Sequence, residues 1–249
     1  MASVASRILG ESPFEVDPND PFGVRRVDPD AREAFETLRN YHRDDAKVPP
    51  VTKKKLEGIV ATSALYSYFY ALEVLKGKRF KRGEPVIACS PTYARQYARD
   101  ILRGPFPEAE PAIATDATES MAYSKYVIKR PFPMGEKVIL ENPTTAYQYA
   151  RHVLLRPWPE AESVIAKSPS ASILYASEVL GYKPFPEGEA AIATLGEYAQ
   201  YYALYCLKRR FPEGEEAMVR DGFTSDYVKK FPEAKLDWAV NGLIDWIDL

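Results

Sequence analysis

The sequence predicts an all-α fold: a right-handed α-solenoid of about six two-helix repeats of about 26 residues, with an N-terminal arm and a C-terminal capping helix. Three columns of residues predict it. An aromatic followed by proline, or a near variant, recurs at Phe80, Phe106, Phe132, Trp158, Phe185 and Phe211 at intervals of 26 or 27 residues, and again at Phe231. A glutamate follows four residues later, at Glu84, Glu110, Glu136, Glu162, Glu189 and Glu215, and Glu57 extends the column backwards. A tyrosine before a small residue stands at Tyr70, Tyr97, Tyr123, Tyr149, Tyr175 and Tyr202. Self-similarity at a fixed period of this length marks a stacked array. A helix pair so short cannot bury its apolar stripe alone, so neighbouring pairs must stack.

Taken in order, residues 1–50 form a Pro/Asp-rich arm with one predicted helix over 31–41, capped by Asp30, whose apolar side is Phe35 and Leu38. The earlier residues, with Phe14, Val16, Phe22 and Val24 among turn formers, are expected to lie on the array. Residues 51–230 are the array. Its first module, 53–80, carries three lysines where later modules have a Pro-Glu start, as terminal repeats often depart from the pattern.

Each module reads as two helices. The first, as over 107–114, opens with proline at the first helical position and glutamate in the first turn. The second starts at a fresh cap: Ser90-Pro91, Asn142-Pro143 and Ser168-Pro169 each place an oxygen acceptor before a proline. Its apolar stripe in module 2 is Ala94, Tyr97, Ala98, Ile101 and Leu102, a 3.6-residue period. Arg/Gly/Lys followed by Pro, as in Arg103-Gly104-Pro105, ends it. The seventh module has a first helix over 212–219 and a shortened second segment around 226–230. Residues 231–249 form a capping helix, over 234–248, with Leu236, Ala239, Val240, Leu243 and Ile247 on one side.

The tyrosines lie on the apolar stripe and are expected in the core, each hydroxyl reaching a backbone or carboxylate partner. The glutamate column is expected to complement helix dipoles or to pair with neighbouring cations. Cys89 and Cys206, too few for a disulfide framework, read as reduced core residues.

The helix cores ASILYAS, from Ala171, and AYQYA, from Ala146, resemble a class of tandem helical repeats of unknown function. The linkers PFPEAE, PWPEAE, PFPEGE and RFPEGE are similar to F/W-P-E-x-E arrays of bacteriophage and bacterial proteins, also uncharacterised. The resemblance covers about two thirds of the chain, from Lys53 to Glu216, and implies a phage or bacterial origin. It transfers no activity to any residue.

Composition narrows function by exclusion. With 33 basic and 35 acidic residues, the formal charge of -2 gives no global pull towards nucleic acid or anionic lipid. No signal peptide is evident, and no stretch of 18 apolar residues predicts a membrane span, so a cytoplasmic setting is expected. Neither zinc- nor calcium-ligand spacing occurs, nor a nucleotide or nucleophile motif, so no cofactor and no catalytic residue is expected.

The leading expectation is a non-enzymatic scaffold that binds a protein partner through a variable column, Tyr66, Tyr93, Glu119, Thr145 and Tyr198. The alternative is nucleic-acid binding along a basic stripe of Arg95, Arg99, Arg103, Lys125, Lys129, Arg130, Arg151 and Arg156. The competing reading of that stripe is that its cations neutralise the glutamate column. Sequence sets neither the partner nor the oligomeric state.

Overall fold

The computed structural model describes residues 29–44, 47–234 and 236. These are helical with short connections, and none of them is in a strand; neighbouring helices pack in pairs, as an all-α helical repeat requires. The predicted arm before Pro29 and nearly all of the predicted capping helix lie outside the described residues. Among the described residues no helix is long and apolar enough to cross a membrane. The chain forms two compact halves, divided between Ala112 and Ile113.

The N-terminal half opens with the predicted helix, Pro29–Arg43, slightly longer than the 31–41 expected. Ala31, Ala34, Phe35 and Leu38 are its buried side. It packs on Pro50–Val60 and on the second helix of module 1, with the Phe35 ring 5.6 Å from Tyr66 and 6.5 Å from Phe69. Modules 1 and 2 follow: Pro50–Val60 with Ala64–Phe69, then Glu84–Ala88 with Pro91–Tyr97. The C-terminal half contains the second helix of module 3, Ala117–Tyr123, and modules 4 to 7, whose first helices begin at Pro133, Pro159, Pro186 and Pro212.

Caps set where the second helices begin. Asp116 accepts from Glu119 N at 2.8 Å, Asn142 from Thr145 N at 3.1 Å and Ser168 from Ala171 N at 3.3 Å, each satisfying an orphan donor of the first turn. Ser90 occupies the cap position of module 2 but makes no such bond.

The second helices end in a way the periodicity did not predict. In modules 1 to 6 each widens into a π turn: Tyr70–Val74, Ala98–Leu102, Ser124–Ile128, Ala150–Leu154, Tyr175–Val179 and Tyr202–Leu207; the short Ser225–Lys230 of module 7 does not. A residue at left-handed φ near +55° follows each turn: Lys76, Arg103, Lys129, Leu155, Tyr182 and Lys208. The physical reason lies in the stripe. Every module carries two adjacent apolar residues four and five positions after its tyrosine, such as Ile101-Leu102 and Val153-Leu154. On a 3.6-residue turn only the first of the two would face as the tyrosine does. A turn enlarged by about one residue brings both to that side.

The tyrosines are the core. Tyr70, Tyr97, Tyr149, Tyr175 and Tyr202 have no exposed surface, and Tyr227 of module 7 joins them although no small residue follows it. Each hydroxyl works twice where both bonds are described. Tyr149 accepts from Phe132 N at 2.8 Å and donates to Glu136 at 2.8 Å; Tyr175 does the same with Trp158 and Glu162, and Tyr97 with Phe80 and Glu84. The ring then packs on the aromatic of the next linker, as Tyr149 on Trp158 at 5.1 Å and Tyr202 on Phe211 at 5.4 Å. One side chain therefore ties its own first helix, the linker before it and the linker after it. Burial is the main reason the phenols lie above their ordinary range, with the glutamate bond adding to it.

A second packing rule alternates along the array. Ser67, Ser120 and Ser172, all buried, donate to carbonyls seven residues back, and each faces a glycine of the next first helix. A Cβ on Gly83 would lie 2.6 Å from Ser67 Oγ, and one on Gly135 2.6 Å from Ser120 Oγ. Ala94 and Ala146, in the serine column of modules 2 and 4, precede Ala109 and Ala161 in the glycine column of modules 3 and 5. Volume is thus exchanged between these positions from module 1 to module 6, whereas Ala199 of module 6 faces Gly214 of module 7 and departs from the alternation.

Candidate interaction surface

The predicted variable column is not a surface. Tyr66, Glu119 and Thr145 are buried, and Tyr93 and Tyr198 are half-buried. The correction has a local cause: the column is the third residue of each second helix, tucked behind the cap. Thr145 Oγ1 donates to Asn142 O at 3.1 Å, Tyr66 is covered by Phe35, and Tyr93 lies against Tyr68 with centroids 6.1 Å apart. Cys206 is buried as expected, and burial pushes its thiol up to about 11; Cys89 is exposed, contrary to the core placement predicted for it.

The basic stripe divides between the halves. In the N-terminal half, Arg99 pairs with Asp100 through two bonds of 2.7 and 2.9 Å, and Tyr68 donates to the same carboxylate at 2.8 Å. The Arg99 guanidinium holds the Asp100 carboxyl below its usual range, with Tyr68 assisting against the cost of burial. Arg95 is half-buried and Arg103 is exposed at a left-handed helix end.

In the C-terminal half, Arg151 pairs with Glu178 and takes Tyr147 Oη at 2.9 Å. Lys125 lies over the Tyr126 ring at 5.0 Å. His152 beside them is held below its ordinary pKa by burial and by Lys125 and Arg151, with Glu178 opposing. Lys129, Arg130 and Arg156 are exposed. Two cations outside the stripe hold glutamates of the column: Arg79 grips Glu84 with two 2.8 Å bonds, and Arg210 holds Glu215 at 2.9 and 2.8 Å.

Another site lies in the C-terminal half, and the repeat columns did not single it out. An open groove of about 620 Å³ is lined by Gly181, Tyr182, Leu204, Tyr205, Lys208 and Lys230. Tyr182 and Tyr205 are 49% and 51% exposed, so half of each ring faces solvent. Tyr201 supports both: its ring centroid is 4.7 Å from that of Tyr205, and its hydroxyl donates to Tyr182 Oη at 3.5 Å. That bond first, and burial second, raise the Tyr201 phenol to about 12. Two consecutive left-handed residues, Gly181 and Tyr182, build the corner, closed by Tyr182 N donating to Ala176 O at 3.0 Å.

The one available signal for this corner was the 27-residue interval between Trp158 and Phe185, which marks an inserted residue. The groove has aromatic walls, an aliphatic base at Leu204 and two ammonium groups.

No family model matches this chain, and no curated protein or solved structure shows significant similarity to it.

Proposed function

We propose that this protein is a non-enzymatic interaction scaffold that binds a protein partner through side chains displayed on the repeat. One observation carries this reading. Half-exposed tyrosines stand at repeat positions of the C-terminal half, Tyr126 and Tyr205 in one column and Tyr182 at a helix end, on helices whose buried tyrosines are fully hydrogen-bonded. Tyrosine on a rigid support supplies contact area at little entropic cost, which is why it is enriched at interfaces.

The linker resemblance supports a phage or bacterial setting, as a virion component or as a factor that binds a host protein in the host cytoplasm. Affinity capture from a bacterial host, with and without nuclease, tests it. A stoichiometric protein partner that survives nuclease and is lost from the Tyr126→Ala/Tyr205→Ala double variant is expected. Partners lost wholly to nuclease would favour the second reading, nucleic-acid binding through the exposed Lys129, Arg130 and Arg156. That reading requires affinity that falls steeply with salt.

A further inference from the structure

We infer that the groove lined by Tyr182, Leu204, Tyr205, Lys208 and Lys230 is a docking site for a short, extended, acidic peptide segment of a partner protein, anchored by a proline or aliphatic side chain between the two tyrosines. The inference rests on the scaffold reading and names the chemistry of the partner.

Geometry supplies the anchor pocket. Tyr182 and Tyr205 form its walls, each steadied by Tyr201, so the rings are oriented before anything binds. Leu204 supplies an aliphatic floor. Aromatic-walled grooves of this kind take proline rings and small aliphatic groups from extended chains, which bring little conformational entropy to lose. The volume, about 620 Å³, falls inside the roughly 300–1,000 Å³ range of sites that enclose a small ligand, room for a few peptide residues and no folded element.

Charge sets the sign of the occupant. Among the described residues lining the groove there are two lysines and no carboxylate. Lys208 and Lys230 are both exposed, and Lys208 stands where the π turn of Tyr202–Leu207 ends. A basic segment would meet two ammonium groups that have no carboxylate beside them among the described lining residues. An acidic one would pair with both at the rim, where charges steer binding and set specificity. Single-stranded nucleic acid also stacks on tyrosines, but it needs a run of cations along its backbone. Here the cations number two and form no run, which favours the peptide.

Fluorescence anisotropy on the full chain tests this with labelled Asp-Asp-Pro-Leu-Pro-Asp-Asp, the same peptide with every Asp changed to Lys, and ten-nucleotide oligo-dT and oligo-rU. Saturable binding of the acidic peptide alone is expected. It should weaken about tenfold, or about 1.4 kcal/mol, in Tyr205→Ala and in Lys208→Glu, both judged against an unchanged thermal melt. A Lys81→Glu control, on an exposed residue of the N-terminal half, should bind like the parent.

Three results overturn the proposal: no acidic-peptide binding up to about millimolar concentration, equal binding of acidic and basic peptides, or an oligonucleotide that binds more tightly than the peptide. The scaffold reading fails separately. A partner captured equally by parent and Tyr205→Ala chains would sink the groove and leave the scaffold standing, whereas capture that vanishes with nuclease would sink both.

Discussion

Two columns three residues apart on the same helices behave as opposites. Tyr97, Tyr149, Tyr175 and Tyr202 are invariant in the repeat, fully buried and bonded at both lone pair and proton. The next column reads Asp100, His152, Glu178 and Tyr205, with Tyr126 in module 3; all of these except the half-buried Asp100 are exposed, and no two successive modules agree. The first column has a partner at every atom, so any change leaves a buried group unsatisfied. The second makes pairs only where its side chains allow them, as Tyr68 and Arg99 with Asp100, or Tyr147 and Arg151 with Glu178. The repeat holds one column constant while the other varies, and under the proposed scaffold function partner specificity would belong to the second.

Alkaline pH tests this contrast most severely. The folded-state pKa values of Tyr70, Tyr97, Tyr149, Tyr175 and Tyr202 are raised, chiefly by burial. The unfolded chain ionises near pH 10 while the native one holds its protons, so this stability is present below pH 10 and is lost as pH rises. Each such group costs roughly 1.4 kcal/mol per pH unit above 10, so five together exceed half of an ordinary domain's stability within one unit. Circular dichroism should show steep, cooperative unfolding between about pH 10 and 11.5, with Tyr149→Phe shifting the midpoint upward relative to its own neutral-pH stability. A gradual loss of signal beyond pH 12 would show that the column is not sealed.

Single substitutions sharpen the comparison. Tyr149→Ala is expected to cost about 3–5 kcal/mol, since it removes a large buried ring and both hydroxyl bonds. Tyr149→Phe should cost about 1–3 kcal/mol, because it strands Phe132 N–H and one face of Glu136. Tyr126→Ala, in the exposed column, should change stability by less than about 0.5 kcal/mol. Urea denaturation at neutral pH reads all three, and a Tyr126 variant as costly as Tyr149→Phe would erase the distinction.

The serine–glycine alternation gives a smaller effect with a clear signature. Gly135→Ala places a Cβ 2.6 Å from Ser120 Oγ and 2.7 Å from Phe132 Cδ1, which should cost about 1–3 kcal/mol by overpacking. Ser120→Ala alone loses the 2.9 Å bond to Ile113 O, about 1 kcal/mol. The double variant recreates the alanine pairs Ala94–Ala109 and Ala146–Ala161, so a double-mutant cycle should return a favourable coupling of about 1 kcal/mol. Strict additivity would mean that the alternation carries no packing information.

Much of this fold was legible because the columns are periodic and each has one physical reason to be so. The tyrosine stripe announced burial, its hydroxyls required partners, and the glutamate column supplied them 13 residues away. The helix over 29–43 could be read from Phe35 and Leu38, but Asp30, expected as its cap, lies within the first turn because the helix starts at Pro29. The π turns could not, since Leu102 also falls at the edge of an ordinary broad apolar stripe and by itself gives no sign that the turn widens. Non-glycine residues at left-handed φ leave no trace either: Leu155 and Tyr182 are poor candidates for it by propensity.

The candidate surface was misread for a related reason. Tyr66, Glu119 and Thr145 vary from module to module, which suggests exposure, yet all three are buried. They vary because a third helical position can be filled by any side chain that folds back against the cap. The groove at Tyr182 and Tyr205 was hidden by the opposite error, since it arises where an inserted residue breaks register.

The smallest effect concerns the left-handed column, which is exposed like the varying positions yet constrained like the core. Leu155 is 79% exposed at φ +54°, so its side chain gains almost nothing from burial while its Cβ bears the left-handed penalty of about 1–2 kcal/mol. Leu155→Gly removes that penalty and adds about 0.5–1 kcal/mol of unfolded-state entropy, for a net gain near 0.5 kcal/mol and a Tm rise of about 1–2 °C by calorimetry. Arg103→Gly relieves the same strain but discards a cation at a helix C-terminus, worth about 0.3–1 kcal/mol, and should be neutral. If Leu155→Gly destabilises instead, the leucine side chain makes intrachain contacts worth more than the left-handed penalty, and residue 155 belongs with the core rather than with the varying positions.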